Sequence, residues 1–218
     1  MEPLTPQVMH KLVFTILVHG LPDAQTNVAY DVLLEAQNNP NPQVRELAVV
    51  ALAELPVPAP KRVTALAKGL RDASARVRRR AARALGDFGA QAIPAVPALV
   101  TGLRDVDTSV RRDCAGTLGR LGPAAGPGAQ GLVNLLSEPE TRSRVVAATA
   151  LKRIGNEAVP VLMAGLRNAD ADFRSRCAKV LTHIAPDDNE VTEAIRVVVA
   201  EDEMSRTTEF VPLAMAVN

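Results

Sequence analysis

The chain has 218 residues, a formal net charge of +1 and an aromatic content of only 2%, with no Trp, one Tyr and four Phe. A core made from Leu, Val, Ile and Ala suits closely packed helices, and the aromatics and long β-branched runs of an all-β protein are missing. The seven-residue apolar stretch 12–18 is far short of the roughly 20 residues needed to span a bilayer.

In chain order, residues 1–25 read as an N-terminal capping helix, with Thr5 as N-cap, Pro6 at the first helical position and Gly20 as the stop. The apolar stretch resembles a signal-peptide core only weakly, lying behind Glu2, two prolines and a single Lys11, so a cytoplasmic location and no membrane partner are expected. A repeated phrase then occupies residues 26–200. Leu52, Leu85, Leu118 and Leu151 lie 33 residues apart, and Leu181 follows after 30. Eight residues before each leucine stand Val44, Val77, Val110, Ser143 and Phe173, each followed by an arginine: Arg45, Arg78, Arg111, Arg144 and Arg174. Self-similarity of this length marks a solenoid, whose units bury their apolar faces only by stacking.

Each repeat reads as an A helix, a tight turn and a B helix. Leu33, Leu66, Leu99, Leu132 and Leu162 form the A ladder, and Pro60, Pro94, Pro97, Pro127 and Pro160 precede or open its helices. Asn41, Ser74, Asp107, Glu140 and Asp170 stand just before the B helices, where N-caps belong. Val77, Ala81, Ala84, Leu85 and Phe88 then follow helical spacing, as do Val110, Cys114, Thr117, Leu118 and Leu121. Gly89, Gly122 and Gly155 are placed to end three of these helices in a left-handed cap. Cys114 and Cys177 sit on the buried stripe two repeats apart, too far to bridge, and read as free thiols in a reducing compartment. Residues 190–200 continue the A ladder as a sixth A helix. A tail over 201–218, containing Phe210, Val211 and Leu213, is placed to cover the last face. The expectation is an all-α chain in one domain: an α-solenoid of about five to six antiparallel helix pairs.

With the repeat laid out, the chain resembles HEAT repeats, specifically the short HEAT-like units of phycobilisome lyases. The resemblance rests on Asp72…Val77-Arg78…Ala81…Ala84-Leu85-Gly86 and Asp105…Val110-Arg111…Cys114…Leu118-Gly119, and it covers roughly residues 26–200. It implies a right-handed superhelix with the B helices lining the concave side. It also implies a stacked internal ladder between the turn acid and the B-helix arginine. Asp72 with Arg78 and Asp105 with Arg111 match that ladder, while Asn39, Glu138 and Asn168 hold the acid's place in the other repeats.

Charge is unevenly spread. Residues 1–60 carry two Lys/Arg against six Asp/Glu, residues 61–183 carry twenty-one against ten, and residues 184–218 carry two against eight. On a helical wheel, Arg76, Arg79, Arg83, Arg112, Arg142 and Lys179 lie opposite the apolar stripe, flanked by Arg80, Arg120, Arg153 and Arg176. Combined with the resemblance, this implies a cationic stripe along the inner groove, fit for a partner bearing carboxylates or phosphates. The alternative is that arginine, a good helix former, merely solvates an exposed face.

Motifs of chemistry lack their context. The glycines at 126, 128 and 131 satisfy G-x-G-x-x-G without a preceding strand, and Asp87-Phe88-Gly89 stands without the other kinase motifs. His10, His19 and His183 are dispersed, and no His-Glu dipeptide or zinc-ligand spacing occurs. The expected function is therefore a non-catalytic scaffold without cofactor or metal, gripping an acidic protein or peptide. Nucleic-acid binding through the same stripe is the alternative, and an accessory role beside a bilin lyase is implied only by the resemblance.

Overall fold

The computed structural model describes residues 4–208, and the regular elements over that range are all helical, with no strand among the described residues. The elements are α1 (Pro6–Phe14), α2 (Asp23–Ala36), α3 (Pro42–Glu54), α4 (Ala59–Gly69), α5 (Ala75–Asp87) and α6 (Val96–Gly102). They continue with α7 (Thr108–Leu121), α8 (Ala129–Leu135), α9 (Thr141–Ile154), α10 (Val159–Gly165), α11 (Ala171–Ile184) and α12 (Asn189–Thr208). Even numbers from α2 are A helices and odd numbers from α3 are B helices. Helix α1 packs against α3 as a B helix would, so the capping element extends the B layer at the N-terminal end.

The core is one continuous apolar ribbon. The five leucines of the A ladder and those at 52, 85, 118, 151 and 181 are completely buried. Burying a leucine is worth about 1.5–3 kcal/mol, so these two rows dominate the stability. The residues lying between them are small, and that sets the spacing of the layers. A Cβ on Gly119 of α7 would lie 2.8 Å from the Ala150 Cα of α9. The B helices α3, α5, α7 and α9 thus pack side by side, while the A helices meet largely through the 3-10 turns that open them (Gly89–Ala95, Gly122–Gly128 and Gly155–Ala158). Pro94 and Pro127 fall inside two of those turns, where a missing N–H is tolerated.

The G-x-G-x-x-G run belongs to this packing. It spans a 3-10 turn and α8, where a Cβ on Gly131 would meet Leu103 at 2.6 Å and one on Gly126 would meet Glu157 at 3.0 Å. Phe88 packs against the core and lies 4.7 Å beneath the Arg62 guanidinium, an apolar stop to α5.

Three of the anticipated N-caps bond backbone N–H groups: Asn41 at Gln43, Asp107 at Ser109 and Val110, and Asp170 at Asp172 and Phe173. Two behave differently. The Ser74 side chain caps nothing, and its own N–H donates instead to Asp72 Oδ1 at 2.7 Å. The Glu140 carboxylate accepts from Ser143 Oγ at 3.1 Å, which satisfies the buried hydroxyl at a position held by valine in three repeats. The glycine stops also differ from expectation. Gly122 (φ 64°, ψ −141°) and Gly155 (φ 75°, ψ −138°) take a positive-φ extended conformation rather than a left-handed helical cap, because the chain passes straight into a 3-10 turn. Helix α12 runs to Thr208, beyond the anticipated 190–200, and Phe210, Val211 and Leu213 lie outside the described residues.

The arginine ladder exists with a different register. Arg78 donates from Nε and Nη2 to both Asp105 oxygens, at 2.6 and 2.7 Å, and from Nη1 to the backbone carbonyl of Asp72 at 2.8 Å. Arg45 treats Asp72 and the Asn39 carbonyl in the same way. Each arginine therefore holds its own turn through a carbonyl and the following repeat through a carboxylate. The expected side-chain pairing within a repeat is corrected to pairing across the repeat interface. Glu138 accepts from Arg111 at 2.6 Å and Asp202 from Arg174, whereas Arg144 faces Asn168's repeat and forms no ion pair among the described residues.

Candidate binding site: an arginine-lined recess

The B helices carry their arginines on the face away from the apolar ribbon because each copy offers only one buried stripe. Where α5, α7 and α9 run side by side, that face forms a recess of about 460 Å³. Arg79 and Arg83 come from α5, Arg112 and Arg120 from α7, and Arg142 and Arg153 from α9, with Gly116 and Asp113 between them. Of the six stripe residues expected from the sequence, Arg79, Arg83, Arg112 and Arg142 meet here. Arg76 stands outside, mostly exposed, with its Nε 3.6 Å from Glu46. Lys179 is exposed on α11, away from the recess. Arg120 and Arg153, placed by the wheel as flankers, line the recess itself.

Acidic neighbours partly neutralise the cluster. Asp113 receives Arg79 Nε and Arg83 Nε, each at 3.0 Å, and Glu140 receives Arg112 Nη1. Arg120 lies over the bare backbone of Gly86, where a Cβ would strike its guanidinium at 2.0 Å, and reaches Asp87 at 3.5 Å. Arg142 and Arg153 are exposed and form no ion pair or hydrogen bond among the described residues. Wheel reasoning missed the carboxylates, since each acts across a repeat boundary. The available signal was Asp113 standing 34 and 30 residues after Arg79 and Arg83, one repeat on. The recess thus holds six guanidinium groups against three carboxylates, an excess that favours an anionic ligand.

The groups that could do covalent chemistry are buried elsewhere. Burial pushes the Cys114 thiol up to about 12, aided by the nearby Asp105 and Asp113, and the Cys177 thiol up to about 11. Among the described residues, no three His, Cys, Asp or Glu side chains gather in a way that could hold a metal ion, and no helix is long and apolar enough to cross a membrane.

Paired helices stacked at a 33-residue period, with a small-residue seam and an arginine ladder, define an α-solenoid repeat protein. Within that class, residues 63–128 match HEAT repeats and residues 143–168 match the PBS lyase HEAT-like repeat. Similar solved structures include an engineered protein at 23% identity, with a TM-score of 0.58 over 84% of this chain and 90% of that one. A second engineered protein has 20% identity and a TM-score of 0.59 over 85% and 90%. A designed armadillo repeat protein, in complex with the peptide (KR)4, has 18% identity and a TM-score of 0.55 over 84% and 92%. At these identities the likeness is one of fold. No curated protein matches the chain.

Proposed function

We propose that this chain is a single-domain, non-catalytic interaction module that grips an acidic protein or peptide along the arginine face of its B helices. The observation that carries this reading is the recess across α5, α7 and α9, where guanidinium groups from three consecutive repeats converge and two of them lack an ion-pair partner among the described residues. Guanidinium forks suit bidentate contact with carboxylates, and a solenoid offers them at repeated spacing. The designed armadillo protein that shares this fold holds a peptide, a basic one. Here the opposite charge on the face calls for an acidic one.

The test neutralises Arg79, Arg83 and Arg112 together to glutamine and measures binding of a fluorescein-labelled octaglutamate by anisotropy. The expected result is a loss of about tenfold or more with an unchanged helical circular dichroism signal, and affinity that falls steeply with salt. Equal affinity of the triple variant would sink the assignment. Duplex DNA bound more tightly than the peptide would replace it with nucleic-acid recognition.

A further inference from the structure

Gly116 occupies the middle of α7, where glycine is the worst residue for a helix apart from proline. Every other described glycine has a visible reason for lacking a side chain. Gly20, Gly89, Gly122 and Gly155 have positive φ, and each of the remainder faces a neighbouring atom at 3.1 Å or less from an added Cβ. Gly116 has neither: its φ is not positive, and an added Cβ would meet nothing within 4 Å. The same position one repeat earlier is Arg83 and one repeat later is Thr149, so the repeat itself does not require glycine. The open space above it is the floor of the arginine recess.

We infer that this floor is a contact surface, and that an extended acidic peptide lays its main chain across Gly116 with anionic side chains directed to Arg142 and Arg153. These two arginines stand eleven residues apart on α9, three helical turns on one face and about 16 Å along the axis. That span corresponds to about five residues of extended chain. They are also the two recess arginines that no carboxylate among the described residues engages. A glycine floor lets a peptide backbone approach the helix closely, and the flanking guanidinium groups then reach its side chains. The inference rests on the proposed reading of the groove and specifies where and in what form the acidic partner binds.

The experiment compares wild-type protein, Gly116→Leu, Gly116→Ala and the triple arginine variant for binding of fluorescein-labelled octaglutamate at low ionic strength, with thermal melts of each. Gly116→Leu is expected to lose about tenfold in affinity while keeping its helical signal. Gly116→Ala is expected to raise Tm by about 2–4 °C without tightening binding. Wild-type affinity in Gly116→Leu, with weakened binding in the triple variant, overturns the floor contact and leaves the groove reading standing. An unchanged or lowered Tm in Gly116→Ala shows that the fold needs the glycine and overturns the inference as well. If the wild-type protein does not bind octaglutamate, both fall.

Discussion

The sulfur of Cys114 lies 2.4 Å from the point that a Cβ on Gly102 would occupy. The A helix gives up a side chain where the B helix twelve residues later carries an added sulfur. Gly165 and Cys177 repeat the arrangement at 2.7 Å, and Gly69 faces Ala81 at 3.0 Å. The first repeat has Ala36 and Ala48 in these places, both completely buried. Packing between A and B helices is thus matched at these four pairs, while the fourth repeat carries the larger Leu135 opposite Ala147.

Gly102→Ala overfills this site and is expected to cost about 1–3 kcal/mol, and Cys114→Ala leaves a small void costing about 1 kcal/mol. The double variant recreates the alanine pair of the first repeat, so its cost should fall below the sum by about 0.5–3 kcal/mol. Urea denaturation of the four proteins measures this. Additive costs would show that the two residues do not share space.

The thiols should be silent in the folded protein. With Cys114 pushed up to about 12 and Cys177 to about 11, a disulfide reagent at neutral pH should label neither until denaturant is added. In the unfolded chain both thiols ionise from about pH 9 while the folded chain keeps its protons. The unfolded state then binds fewer protons, so stability is full below about pH 9 and declines as pH rises toward the folded values. Serine at both positions should flatten that alkaline decline, which thermal melts from pH 8 to 10.5 would reveal.

Asp105 and Asp72 define the acid limit. Burial alone would raise both carboxyls. Hydrogen bonds from Arg78 and Arg45 respectively, from the Asp107 and Ser74 N–H groups, and nearby arginine charge hold both below the ordinary value. Folded carboxyls with depressed pKa contribute stability above the unfolded pKa near 4 and lose it as pH falls through the folded value. Asp105→Asn removes a bidentate partner from Arg78, whose side chain is only 12% exposed, and should cost about 2–3 kcal/mol at pH 7. The deficit should shrink below pH 4. A constant deficit across pH would assign the loss to the turn rather than to the ion pair.

Asn168→Asp should have the opposite sign. It keeps the side-chain oxygen that accepts from the Asp170 N–H at 2.9 Å and supplies the carboxylate that Arg144 lacks. A rise in Tm of a few degrees, reduced by high salt, is expected. An unchanged Tm would show that Arg144 cannot reach across that interface.

The apolar architecture was readable in the residues because burial follows helical period. Leu66, Leu99 and Leu132 had to share a face wherever the helices were placed. Partner choice was less readable. Arg78 shares a motif with Asp72, and nothing in one repeat reveals that stacking brings the next carboxylate to its guanidinium while its own turn offers a carbonyl. The recess was half legible: one helical wheel locates Arg79, Arg83, Arg112 and Arg142 and sets Arg120 and Arg153 at their flank, but Asp113 enters only once neighbouring helices are set side by side. Gly116 was invisible as a feature until the space above it could be seen to be empty.

One interface departs from the rest in several ways at once. The close-approach glycines of α5 and α7, Gly86 and Gly119, have Lys152 as their counterpart on α9, the repeat there is three residues shorter, and the arginine ladder skips a rung at Asn168. Helices α9 and α11 accordingly meet over a shorter stretch than the B helices before them, with Arg176 reaching back to the Leu136 carbonyl at 3.3 Å. A tie rod with one link missing carries load on either side of the gap and transmits little across it. Bending of the solenoid is therefore expected to concentrate between α9 and α11, where neighbouring B helices meet over the shortest stretch.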